Sequence, residues 1–215
     1  MKYTTILLDL DGTLLNTLED LKDSMNYMLA KYNQPLRSLE EIRLFVGNGL
    51  RKLAERAISD SFDMGQFETF LAEFIAYYND HNLIKTAPYP GVIETTKELS
   101  QRGVKLAIVT NKAQEASQSL LEDFFYPHIQ VVVGDGGGRA HKPAPDNVDE
   151  ALKQLSVSDK SKVLYVGDSE VDAQTGENSN LDYILCTYGF RDMNVLKDYS
   201  PIAFIDSFDK LLDYI

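Results

Sequence analysis

The chain holds a single cysteine, Cys186. It therefore has no disulfide framework of its own and no CxxC pair for metal or redox chemistry, which suits a reducing compartment. It is also short of positive charge. Against 33 aspartates and glutamates stand 21 lysines and arginines, a net charge of −12, and that balance argues against DNA or an anionic membrane as the natural partner. No apolar run reaches membrane-spanning length. The first residues, with Lys2 as their one charge and Asp9 following three apolar residues, lack the apolar segment of a signal peptide. These absences predict a cytoplasmic protein that binds neither nucleic acid nor membrane. What is present, 44% apolar residues and 10% aromatics over 215 residues, is enough for a sizeable core plus an elaboration.

Five short aliphatic or β-branched runs read as buried strands: "TILLDL" (5–10), "VKLAIVT" (104–110), "IQVVVG" (129–134), "KVLYVG" (162–167) and "DYILCTYG" (182–189). Near-continuous hydrophobicity is what a parallel sheet covered on both faces requires. A sixth, "IAFID" (202–206), precedes a closing helix, "SFDKLLDYI". Helical periodicity over 91–102, 113–125, 146–155 and 170–179 gives an alternating βαβ order from residue 104 onward. The connection from Leu10 to Val104 is far longer than the roughly 10–30 residues of a simple crossover. Its segments "TLEDLKDSMNYMLAKYN", "LRKLAERAISDSF" and "QFETFLAEFIAYYNDHN" repeat apolar residues at three and four spacing. A helical domain over 15–84 is thus expected as an insertion into a sheet domain of 1–14 and 85–215, with "TAPYPGV" (86–92) marking the return.

The chemistry gathers at predicted strand ends, where open α/β sheets bind ligands. Strand one runs into Asp9 and Asp11, strand two into Thr110, Asn111 and Lys112, the segment after strand three into "HKPAPD" with Lys142, and strand four into "GDSEVD" (167–172). Because side chains alternate along a strand, Asp9 and Asp11 are expected to share a face about 6.6 Å apart and to repel by on the order of 2–3 kcal/mol. A divalent cation such as Mg²⁺, which takes one or two carboxylates and a phosphate oxygen, would outweigh that repulsion. Asp9, Asp168 and a backbone carbonyl suit it. A carboxylate can also attack phosphorus, provided the phosphoryl oxygens are neutralised. Lys142 can do that with the cation, Thr110 and Asn111 can donate hydrogen bonds, and Asp11 can protonate the leaving oxygen and later take a proton from water.

DLDGT (9–13), TNK (110–112), KPAPD (142–146) and GDSEVD together resemble the four motifs of the haloacid dehalogenase superfamily. The resemblance implies an α/β fold, a Rossmann-like parallel-sheet core with an inserted helical cap. It implies Asp9 as nucleophile, Asp11 as acid/base, Thr110 and Lys142 as phosphate binders, and Mg²⁺ held by Asp9, Asp168 and the main-chain carbonyl of Asp11. Asp172 is then a partner of the metal's water or of Lys142. "FVGNGL" (45–50), "PYPGV" and "TYGF" look most like the phosphoglycolate phosphatase group, whose members often carry Asp where this chain has Asn16.

The expected activity is Mg²⁺-dependent hydrolysis of a small phosphorylated metabolite, 2-phosphoglycolate first, with pyrophosphate or a sugar phosphate next. In the insert, Gly47, Asn48 and Gly49 precede a helix start where free amides attract anions, and Arg51 adds charge for a substrate carboxylate. Tyr77, Tyr78 and His81 read as packing. "GDGGGRAH" (134–141) fits neither GxxxxGK[ST] nor GxGxxG and reads as a mobile loop that lets Lys142 reach the site. A β-phosphoglucomutase-like phosphomutase would use the same Asp9 chemistry but return the phosphoryl group. A dehalogenase needs neither a second acid nor a metal. A non-catalytic phosphate-binding protein would be expected to have lost Asp9 or Lys142.

Overall fold

Apolar residues in adjacent positions of the first strand point to opposite sides, and both sides are covered. In the computed structural model, which describes residues 2–215, Ile6 and Leu8 enter one buried cluster and Leu7 another. The elements in chain order are β1 (Thr5–Leu8), β2 (Leu15–Asn16), α1 (Leu18–Lys31), α2 (Leu39–Phe45), α3 (Gly49–Ala57), α4 (Phe67–His81), β3 (Ala87–Pro88), α5 (Val92–Gln101), β4 (Lys105–Ala113), α6 (Gln114–Phe124), β5 (Val131–Asp135), α7 (Asp146–Gln154), β6 (Val163–Gly167), α8 (Glu170–Ser179), β7 (Asp182–Cys186), α9 (Met193–Leu196) and β8 (Ala203–Ile205). Three short 3₁₀ segments complete them, the last spanning Phe208–Tyr214.

Six strands form one parallel sheet in the order β5-β4-β1-β6-β7-β8. Counted among themselves, these strands run 3-2-1-4-5-6, the Rossmann order, with its switch point between β1 and β6. Val92 and Leu99 of α5, Leu120 and Leu121 of α6, and Phe208 cover one face. Val148 and Leu152 of α7, Ala173 of α8 and Leu196 of α9 cover the other.

Contacts divide the chain into two units: the stretch up to Leu15 with Pro88–Ile215, and Asn16–Ala87. The second unit is helical. Leu18, Leu21, Met25, Met28 and Leu29 of α1 and Phe67, Phe70, Leu71, Phe74 and Tyr78 of α4 are buried at three and four spacing. Asp20, also buried, accepts from the backbone N–H of Lys85 (3.0 Å) and Thr86 (2.8 Å), fastening the end of this unit to its first helix. The two connecting segments, β2 and β3, pair as a separate two-stranded sheet.

Several expectations need correcting. β1 stops at Leu8 rather than Leu10, because Thr13, Leu14 and Leu15 turn back to donate to the carbonyl of Leu10. The alternation argument that placed Asp9 and Asp11 on one face therefore does not apply. The run 50–62 ends as a helix at Ala57, and the closing segment is 3₁₀. Helix α2 went unread from the sequence: it has seven residues, buries only Ile42, and owes its start to a capping box between Ser38 and Glu41.

Candidate active site

Asp9 leaves the end of β1 with its N–H bonded to Val166 O on β6, so it lies at the switch point of the sheet. Its carboxylate is buried and accepts from the Lys142 ammonium at 2.7 Å. Lys142 also donates to Asp172 Oδ1 at 2.8 Å and to Tyr165 Oη at 3.0 Å. Tyr165 donates to the same Asp172 oxygen at 3.0 Å.

Asp172 takes its place from the way α8 begins. Ser169 is the N-cap and Asp172 the third helical residue, and they form a reciprocal capping box. The other Asp172 oxygen accepts from Ser169 Oγ (2.6 Å), Ser169 N (3.1 Å) and Asp168 N (3.2 Å). Gly167 leaves room for this approach, since a Cβ there would collide with the Asp172 side chain. Both oxygens of Asp172 are therefore engaged within the protein.

Asp168 is held by Thr13 Oγ1 (3.0 Å) on one oxygen and by the N–H of Phe190 (2.7 Å) on the other. Gly12 lies against this carboxylate at φ +91°, where a side chain is both strained and without space. The glycine of the DLDGT motif is thus explained by the close passage of Asp168.

Thr110, Asn111 and Lys112 fall where the β4–β5 register is interrupted between Val109 and Ala113. Irregularities of this kind re-aim side chains. Thr110 Oγ1 accepts from Lys112 N at 3.2 Å and keeps its own proton for another acceptor. The Asn111 side chain brackets the Lys142 backbone instead: Oδ1 accepts from Lys142 N (2.8 Å) and Nδ2 donates to Lys142 O (3.1 Å). Lys112 Nζ lies 3.4 Å from Asp11 Oδ1. The two aspartates of the first motif thus face different lysines, where the sequence suggested one positive charge between them.

The segment read as a mobile loop is anchored at several points. Arg139 donates to Asn147 Oδ1 (2.8 Å) and Gly134 O (3.1 Å), Asn147 donates to Thr110 O, and His141 lies 2.8 Å from Asp135.

Burial and repulsion show in the acidities. Burial first, then the Asp172 charge, push Asp9 up to about 7 against the pull of Lys142. Burial and the charges of Asp172 and Asp9 hold Asp168 well above the usual carboxylate range. For Asp172 burial acts upward too, but Lys142 overcomes it and the group lies below its ordinary value. Burial keeps Tyr165 protonated. Oxygens of Asp9, Asp168 and Asp172 lie within 4.8 Å of one another. Three buried carboxylates against one buried ammonium leave this cluster short of positive charge, and an all-oxygen set suits a hard divalent cation. Asp172 is already saturated, so Asp9 and Asp168 are the side chains that fit it.

The other expected binding residues belong to the helical unit. Gly47 and Gly49 have φ of +120° and +81°. Asn48 is the N-cap of α3 and its side-chain oxygen accepts from Arg56 at 2.9 Å. Arg51 is exposed and grips Glu68 with two bonds of 2.8 Å. Tyr78 is buried, while Tyr77 stacks between Tyr27 (4.0 Å) and His81 (3.9 Å). Sequence reasoning missed Tyr165 and Thr13. A tyrosine in a strand of aliphatic residues was the available signal, because a buried hydroxyl needs a partner.

The family model of haloacid dehalogenase-like hydrolases matches residues 6–186. A phosphoglycolate phosphatase of Mesorhizobium japonicum is 35% identical over 217 residues, covering 98% of this chain and 94% of the relative. One from Psychrobacter arcticus is 31% identical and covers 100% and 96%. A crystal structure of a candidate phosphoglycolate phosphatase from Lactobacillus delbrueckii superposes with a TM-score of 0.91 at 35% identity, covering 100% of this chain and 99% of the other.

Proposed function

The chain belongs to the haloacid dehalogenase-like hydrolases and is a phosphatase, and from that premise we propose that it hydrolyses 2-phosphoglycolate through an aspartyl-phosphate on Asp9, with Mg²⁺ as its cofactor. The phosphoglycolate phosphatases that match nearly the full chain support the substrate. One observation carries the mechanism: a buried lysine within 2.7 Å of a buried aspartate at the sheet's switch point, beside a second buried acid, Asp168, held by Thr13 and the Phe190 N–H.

Asp9 and Asp168, with the main-chain carbonyl of Asp11, would hold the cation, which would neutralise phosphoryl charge and keep Asp9 ionised. An Asp9 oxygen attacks phosphorus and the ester P–O bond breaks. Asp11 delivers a proton to the leaving oxygen. Water then attacks the phosphorus, Asp11 accepts its proton, and the bond to Asp9 breaks to release phosphate. Lys142 and the Thr110 hydroxyl bind phosphoryl oxygens and hold them in line. The Asn111 side chain, assigned to substrate from the sequence, serves by fixing Lys142. Recognition of a substrate carboxylate by Gly47, Asn48, Gly49 and Arg51 requires Arg51 to exchange Glu68 for the ligand. The lone, buried Cys186 fits a reducing, cytoplasmic setting.

The test is a screen of phosphorylated metabolites with and without Mg²⁺. Phosphate release from 2-phosphoglycolate that a chelator stops and Mg²⁺ restores is expected. Turnover unaffected by the chelator would overturn the cofactor assignment, and preference for pyrophosphate or a sugar phosphate would overturn the substrate.

A further inference from the structure

An ammonium group has three protons and rotates freely on its stem unless acceptors fix it. Lys142 has three acceptors, Asp9 Oδ1 at 2.7 Å, Asp172 Oδ1 at 2.8 Å and Tyr165 Oη at 3.0 Å. Two of them are joined to each other by the hydrogen bond from Tyr165 to Asp172. Asp172 is fixed by the α8 capping box, and Tyr165 by complete burial in β6 between Leu164 and Val166. The neighbours of Tyr165 along the strand are aliphatic, so a phenylalanine would fill the same space. The hydroxyl needs another explanation, because burying one is unfavourable unless it is bonded. Its donor goes to Asp172 and its acceptor to Lys142, both within the acidic cluster.

We propose that Tyr165 is a positioning residue for phosphate binding: with Asp172 it fixes two N–H directions of Lys142, so that the third is aimed at Asp9 and at the phosphoryl oxygen brought there. This rests on the reading of Lys142 as the phosphate-binding lysine. Asp172 supplies charge and Tyr165 supplies direction. The tyrosine acts through the lysine and does not touch the substrate.

The experiment is a double-mutant cycle of Tyr165→Phe and Lys142→Met. For each variant, kcat and the inhibition constant of inorganic phosphate are measured beside thermal unfolding. Tyr165→Phe is expected to lower kcat and weaken phosphate inhibition by about tenfold each, the effect of one hydrogen bond. In the Lys142→Met background the same change should alter the phosphate constant less than about twofold, because the two residues act as a unit. Unchanged kcat and phosphate inhibition in folded Tyr165→Phe, with or without lower thermal stability, overturns the proposal. An equal loss in both backgrounds also overturns it. If Lys142→Met binds phosphate as well as the parent, the reading of Lys142 fails and takes this inference with it. If Lys142→Met does not fold, Lys142→Ala takes its place in the cycle.

Discussion

In the sheet unit Lys142 is buried among Asp9, Asp172 and Tyr165, while in the helical unit Arg51 reaches Glu68 across open surface. Both are ion pairs with short bonds, yet physically they differ. The buried set lies in a weakly screening interior, where Asp172 is held by a capping box and backbone N–H groups and the Lys142 backbone by Asn111. Such a set acts on developing charge without rearranging. Lys31–Glu73 and Lys52–Glu55 resemble Arg51–Glu68 in being exposed, and salt and water compete for them. Under the proposed function the two sets would have separate tasks, the fixed one in phosphoryl chemistry and the replaceable one in recognition.

The comparison can be broken at its strong end first. Asp9→Asn should reduce turnover at least about a thousandfold while leaving the folded content by circular dichroism unchanged. Retention of more than a few per cent of activity would refute Asp9 as nucleophile. Gly12→Ala, which drives a methyl into Asp168, should raise the Mg²⁺ concentration for half-maximal activity by about 10–100-fold. A metal titration checks it. Asp20→Ala belongs to the helical unit but removes a buried acceptor, so it should cost about 1–3 kcal/mol of stability in denaturant unfolding. Its kcat should stay near the parent value, since the bonds of Asp20 run to the backbone N–H groups of Lys85 and Thr86 at the end of its own unit. The smallest effect is expected from Arg51→Ala: a rise of a few-fold in KM for 2-phosphoglycolate, none for a phosphate ester lacking a carboxylate, and an unmoved melting temperature. Equal changes for both esters would remove Arg51 from recognition.

How far the sequence announces all this depends on the kind of signal. Strands such as 163–167 and helices such as 170–179 are legible because a doubly covered sheet leaves continuous apolar runs and its helices leave a regular period. Helix α2 is not, since one buried residue makes no period and its stability begins with a cap. At the site, residue types and order point to Asp9, Asp11, Thr110, Lys142 and Asp168, but spacing says nothing of who bonds whom. Asn111 reads as a donor to substrate, yet its side chain brackets Lys142, a partnership created by β4 and the loop after β5 coming together. Lys112 opposite Asp11 and Tyr165 beneath Lys142 are likewise products of tertiary approach.

The pairing of Leu15–Asn16 with Ala87–Pro88 has a consequence for inheritance. Because the chain departs and returns at adjacent points, the strand order is indifferent to the length or content of the excursion. Descendants of such a protein can trade whole helices for others, and so acquire new appetites, while the six-stranded sheet passes down unaltered.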